Sequence, residues 1–225
     1  MVVKVEFFMK GETKLLNKDL RIKIVEIIRD AKEGHIPSSF SIIDIIDYLY
    51  GHVLRYKIDE PDWLDRDYFI LSKGHSCAGL YVVLHKYGLV SDKDIELYSR
   101  PGGTLGGHPE ISVPHIEAST GSLGHGFPTA MGIALGLKIQ QLSNRVFALL
   151  GDGECHEGTI WESANVASNQ KLGNLCAIVD WNQSGAQLMP EDDLPARWES
   201  FGWNVQVIDG HKKSSISNAI NKIKF

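Results

Sequence analysis

The sequence predicts an α/β protein: a doubly wound, mostly parallel sheet flanked by helices. Three observations carry that expectation. "RVFALL" (145–150) and "LCAIVD" (175–180) are unbroken apolar runs, the pattern of strands buried on both faces. The segment between them, "GTIWESANVASNQ", reads as a helix, which a parallel crossover requires. Both runs end in polar residues, Gly151-Asp152-Gly153 after the first and Asp180-Trp181-Asn182 around the end of the second. In open α/β sheets, ligands bind beyond the carboxyl ends of the strands.

The remaining elements follow in chain order. Leu16, Leu20, Ile24, Ile27, Ile28 and Ala31 recur at helical spacing, predicting an amphipathic helix over 13–32 that Gly34 ends. "PSSFSIIDIIDYLYG" predicts a second helix, with Ser38 or Ser39 near its cap and Gly51 at its end. "DYFILS" (67–72) reads as a short strand, and "GHSCAGLYVVLHKYG" as a helix stopped at Gly88. Residues 100–128 are rich in Gly, Pro and His without periodicity, the signature of an ordered functional loop. A helix of small residues is expected from about Pro128 to Gln141, and "WNVQVID" (203–209) reads as a further strand. With no repeat, low-complexity segment or linker, residues 1–225 are expected to form one domain.

Composition excludes several classes of function. The chain is 43% hydrophobic and 23% charged, ordinary for a globular protein with a proper core. A net charge of -5 argues against nucleic acid or an anionic membrane as the main partner. No apolar run approaches the roughly 20 residues that span a bilayer, and the N-terminus lacks a signal-peptide pattern. Three cysteines, Cys77, Cys155 and Cys176, are odd in number and far apart, which suits a reducing compartment; the cytoplasm is the expectation.

The two strand ends carry the chemistry. A carboxylate between two glycines can be a tight turn or a helix cap. It can also be a metal ligand beside backbone that approaches a phosphate. Asn182 follows Asp152 by one helix crossover plus one strand, so adjacent parallel strands would bring both side-chain oxygens to the same sheet edge. One carboxylate and one amide oxygen suit a hard cation such as Mg²⁺, which keeps positions for phosphate and water. The helix starting near Glu157 would aim free N–H groups at the same place.

This pattern resembles that of the thiamine diphosphate enzymes. The run "GDGECHEGTIWESANVASNQKLGNLCAIVDWN" resembles the diphosphate-binding (PP-type) domain of transketolases. "AKEGHIPSS", "LSKGHSCAGLY", "GGHPE" and "ASTGSLGHG" agree in order, so the resemblance spans roughly residues 15–211. It implies thiamine diphosphate and Mg²⁺ as cofactors, with Asp152, Asn182 and the backbone carbonyl of Ser184 holding the metal. It implies diphosphate contacts at the motif glycines Gly151 and Gly153, and a cofactor-lining loop at Gly121 and Leu123. His35, His75 and His108 would line the substrate channel as catalytic groups. Glu157 and Glu162 would lie near a subunit interface, although early-helix acids are also favourable alone. The implied reaction is transfer of a two-carbon ketol unit from a ketose phosphate to an aldose. In it the cofactor is the electron sink for C–C cleavage, and histidines move protons on sugar hydroxyls.

His52, His85 and His211 have no motif around them and read as surface or core residues. His115 and His125 stand near the loop and leave both readings open. Cys155 follows GDG, but nothing near it in sequence lowers its thiol pKa. Trp161 and Trp181 read as packing residues. Transketolases also carry pyrimidine and C-terminal domains, which this sequence does not match. The resemblance therefore implies either a subunit whose partner is a separate C-terminal transketolase chain, assembled as a dimer or α2β2, or a fragment of a longer protein. The sheet is expected to lack its final strand. Pro37 and Ser38 replace glycines found in many relatives, stiffening the loop beside His35. Two rival readings share the fold: a deoxyxylulose-phosphate-synthase-like carboligase and a non-catalytic assembly subunit.

Overall fold

The computed structural model describes residues 16–185 and 193–223. Three parallel strands form the sheet among these residues: β1 (Tyr68–Leu71), β2 (Val146–Gly151) and β3 (Leu175–Asp180), in the order β1-β2-β3. The register pairs Leu71 with Leu149, Leu149 with Ile178, and Gly151 with Asp180. All three carboxyl ends therefore meet at one edge.

The apolar strands are buried on both faces, as their composition requires, and alternation splits their side chains between two cores. Phe69, Leu71, Phe147, Leu149, Cys176 and Ile178 face one side. There they pack against α1 (Lys18–Ala31), α2 (Ile36–His52), α3 (Cys77–Lys86) and the terminal α8 (Lys213–Asn221). Ile70, Val146, Ala148, Leu150, Ala177 and Val179 face the other, against α5 (Gly126–Ile139), α6 (Gly158–Asn169) and α7 (Leu194–Ser200). A short α4 (Asp92–Glu96) follows α3, closed by a capping box in which Ser91 and Asp94 satisfy each other's backbone N–H. Each fully buried Leu, Ile, Val or Phe contributes about 1.5–3 kcal/mol relative to exposure, so this double burial is the main stabilisation. The three-layer arrangement is the doubly wound fold that the strand pattern predicts.

Several boundaries differ from expectation. α1 begins at Lys18 after Asn17, and residues 13–15 lie outside the described residues. The cap of α2 is His35 rather than Ser38 or Ser39, because Pro37 sits in the first turn where its missing N–H costs nothing. α5 starts at Gly126, two residues before Pro128, because Ser72 Oγ accepts the Phe127 N–H at 3.0 Å.

The strand expected at 203–209 is not formed. The segment is held by side chains instead: Trp203 Nε1 donates to the Ala164 carbonyl at 3.0 Å, and Gln206 Nε2 to that of Ala219. The Trp203 ring sits 5.0 Å from Trp198. A cavity of about 500 Å³ is lined by Leu175 at the start of β3 together with Trp203, Asn204 and Gln206.

Ion pairs around two buried carboxylates tie neighbouring elements. Asp44 accepts from Arg21 at 2.5 Å, Asn17 at 2.8 Å and His211 at 2.7 Å, joining α1, α2 and the segment before α8. Asp67 is clasped by Arg55 and Arg145 at the opposite edge of the sheet. No helix among the described residues is long and apolar enough to cross a membrane.

Candidate active site

A cavity of about 580 Å³ opens where the three strands end. Its floor is Gly151, Asp152 and Gly153 from β2 with Asn182 and Ser184 from beyond β3; Lys73 and His75 enter from β1, and the first turns of α2 form a wall. Parallel register brings the floor residues, Lys73 and His75 together, since each lies within a few residues of a strand's carboxyl end.

Asp152 is buried, not at an exposed strand end as a carboxylate there would suggest. Its Oδ1 accepts from Gly153 N at 2.8 Å and from Ser184 Oγ at 3.0 Å. Asn182 Oδ1 accepts from Ser184 N at 3.0 Å. The 182–185 turn thus folds onto Asp152. Gly185 allows this approach: a Cβ there would stand 3.1 Å from the Gly153 backbone. The turn brings a carboxylate and an amide oxygen to one place, donors suited to a hard divalent cation. These residues fit the metal and diphosphate that the sequence pattern implies.

The three motif histidines converge. The rings of His35 and His75 meet edge to face at 5.3 Å. His108 packs on Gly121, where a Cβ would come within 3.0 Å of its ring. The backbone around His108 is fixed by α3: Tyr81 Oη donates to the His108 carbonyl at 2.8 Å, and Cys77 Sγ to that of Gly107 at 3.0 Å. Burial and the nearby Lys73, His35 and His108 hold the His75 pKa down to about 4, with Asp180 opposing weakly. His75 is therefore a neutral imidazole near pH 7.

That depression has a sign in stability. Between pH 6.5 and about 4 the unfolded chain binds the His75 proton more readily than the folded one, so stability falls as pH drops through this window. His75→Gln should flatten that part of a urea-unfolding pH profile by on the order of 1–2 kcal/mol, the partly exposed ring being screened by water. An unchanged acid slope would remove the assignment.

The other histidines are engaged elsewhere. His52 packs on Tyr48, His85 meets Asp92 at 2.7 Å, His115 meets the Ile58 carbonyl, and His125 Nδ1 the Leu123 carbonyl. Cys155 is buried and burial pushes its thiol up, so it is inert packing. Trp161 belongs to the aromatic cluster with Trp198 and Phe201. Glu157, the N-cap of α6, and Glu162 within it are exposed. Leu123 lines the cavity.

Sequence reasoning missed four buried polar residues beneath this site. Glu154 takes Ser72 Oγ at 2.5 Å and the N–H groups of Gly124 at 3.0 Å and Gly151 at 3.1 Å. The Gly151 N–H is thus spent inside the protein and is not free to donate to a ligand. Gly124 has φ +82°, and a Cβ there would strike Thr159 and Glu157, so only glycine fits. Lys73 and Asp180 pair at 2.5 Å, with both side chains almost fully buried. The available signal was a charged residue at or just after the end of each buried strand: Lys73, Glu154 and Asp180.

The family described as transketolase, thiamine diphosphate binding domain, matches residues 12–225. The chain is 36% identical over 223 residues to an apulose-4-phosphate transketolase subunit from Phocaeicola vulgatus, covering 96% of this chain and 79% of that protein. It is 36% identical over 197 residues to a 6-deoxy-6-sulfo-D-fructose transketolase subunit of a Clostridium species, covering 85% and 72%. Among solved structures, the transketolase of Campylobacter jejuni superposes with a TM-score of 0.85 at 30% identity, over 91% of this chain and 34% of that one. The chain thus spans about a third of that solved transketolase. By the matched residues and by the identity and coverage of these relatives, the chain belongs to the transketolase family, through its thiamine diphosphate binding domain.

Proposed function

We propose that this chain is the diphosphate-binding subunit of a two-chain transketolase that transfers a two-carbon ketol unit from a ketose phosphate to an aldose acceptor. The observation that carries this reading is one cavity at the strand ends lined by Asp152, Asn182 and His75, with the His35 ring 5.3 Å from that of His75. The relatives named as subunits support the two-chain arrangement, since this chain covers most of their length. Asp152, Asn182 and the Ser184 carbonyl hold Mg²⁺, and Gly153 lets the diphosphate approach the backbone. Gly121 and Leu123 line the rest of the cofactor. Bound thiamine diphosphate supplies the electron sink for C–C cleavage.

The histidines act on the sugar. His35, His75 and His108 bracket its hydroxyls, donate to or accept from them, and stabilise negative charge as it develops on oxygen. A neutral His75 can do either, according to its tautomer. The partner chain brings the pyrimidine-binding half of the cofactor site, and Glu157 and Glu162 on α6 face that interface. Three buried thiols suit a cytoplasmic setting.

The test is reconstitution. The pure chain with thiamine diphosphate, Mg²⁺, a ketose phosphate and an aldose should show no ketol transfer. Adding a matching chain of pyrimidine and C-terminal domains should restore it. Turnover by the single chain, or transfer from pyruvate in place of a ketose, would overturn the reading.

A further inference from the structure

Beneath the cavity floor, Asp180 is fully buried and accepts three hydrogen bonds. Ser41 Oγ donates to its Oδ1 at 2.5 Å; Lys73 Nζ at 2.5 Å and Asn182 Nδ2 at 3.0 Å donate to its Oδ2. Its backbone carbonyl accepts the N–H of Asp152 at 3.1 Å, so the same residue also fixes where β2 turns into the site. The Lys73 stem runs under Gly151, in van der Waals reach of a Cβ placed there. The ketol-transfer reading gives no role to Asp180 or Ser41, and uses Lys73 only through its influence on the His75 charge.

An Asn side chain has one oxygen and one NH₂, nearly equal in shape and opposite in chemistry. A carboxylate only accepts, so Asp180 admits only the NH₂ of Asn182. The Ser184 N–H, on the other side, admits only its oxygen. We propose that Asp180, neutralised by Lys73, is the positioning residue that turns the Asn182 amide so that its oxygen, and not its NH₂, faces the cation. This rests on the metal role proposed for Asn182. Without Asp180 the amide could rotate and present donors to a divalent cation, which is repulsive. A partner that orients a metal ligand typically contributes 10–100-fold in metal affinity.

Removing Asp180 alone would leave Lys73 buried and unpaired, which can unfold a protein. The test therefore compares two neutral variants in a common background. Lys73→Met/Asp180→Asn keeps an acceptor for Asn182, whereas Lys73→Met/Asp180→Leu does not; replacing a buried pair by neutral residues of similar size is tolerated. Ser41, inside α2, can turn its hydroxyl to its own helix carbonyls in the second variant.

The readout is the Mg²⁺ concentration that half-saturates thiamine diphosphate binding to the chain assembled with its partner chain, measured by titration calorimetry. The Asn variant should lie within about 3-fold of the unmodified protein, and the Leu variant should need about 10-fold more Mg²⁺ than the Asn variant or worse. Adding Asn182→Ala to the Leu variant should cost little further, since both changes remove the same oriented oxygen. Equal Mg²⁺ requirements for the Asn and Leu variants, or full additivity with Asn182→Ala, would overturn the positioning role. If the unmodified assembly showed no Mg²⁺-dependent binding, or the Asn182→Ala assembly bound normally, the metal assignment itself would fall instead.

Discussion

Replacing His35, His75 or His108 by alanine in the assembled enzyme is expected to lower turnover by about 10²-fold or more, with a much smaller change in thiamine diphosphate affinity. The magnitude is that of a group acting on charge and protons in the transition state. The geometry makes the experiment interpretable. His108 is carried by backbone that Tyr81 and Cys77 hold, so truncating its ring leaves the loop anchored. His35 and His75 touch each other, so their substitutions should be non-additive. His52, against Tyr48, and His85, against Asp92, serve as controls and should change turnover little. Steady-state kcat against a cofactor titration separates the two effects. Equal losses at all five positions would mean that the substitutions report on folding.

Asp152→Asn is expected to abolish Mg²⁺-dependent binding of thiamine diphosphate, a loss of about 10²-fold or more, since the cation loses its charged protein ligand. Asparagine is the right replacement because Asp152 is buried and its oxygens hold Gly153, Ser184 and Gly185. An isosteric amide keeps an acceptor for that turn while removing the charge. Calorimetry with and without Mg²⁺, beside a thermal melt, distinguishes loss of the ligand from loss of the fold. Parent-like binding by a folded Asp152→Asn would sink the metal assignment.

The layers were legible because burial on both faces writes itself into unbroken apolar runs, and because Asp152 and Asn182 end adjacent strands. The three histidines were legible from their glycine-flanked motifs. The segment at 203–209 misled, since its alternation is that of a strand. Pairing, however, depends on a neighbour's open edge, and here Trp203 is drawn to Trp198 instead. The supports beneath the site were illegible for a different reason. Glu154 and Ser72 meet across 82 residues, and Lys73 and Asp180 across 107. A charged residue in a sequence is expected at the surface, and only its partner's position explains its burial.

Glu154 joins three pieces of chain with one carboxylate: the end of β1 through Ser72, the loop at Gly124 and the end of β2 at Gly151. Ser72 passes the connection on to the first turn of α5. Variation at these positions is consequently not independent. A library randomised at Ser72 and Glu154 would return its functional members as matched pairs, with most single replacements lost and compensated doubles recovered. In evolutionary terms the two residues form a single locus, and the accessible mutational paths through it are those in which both change together.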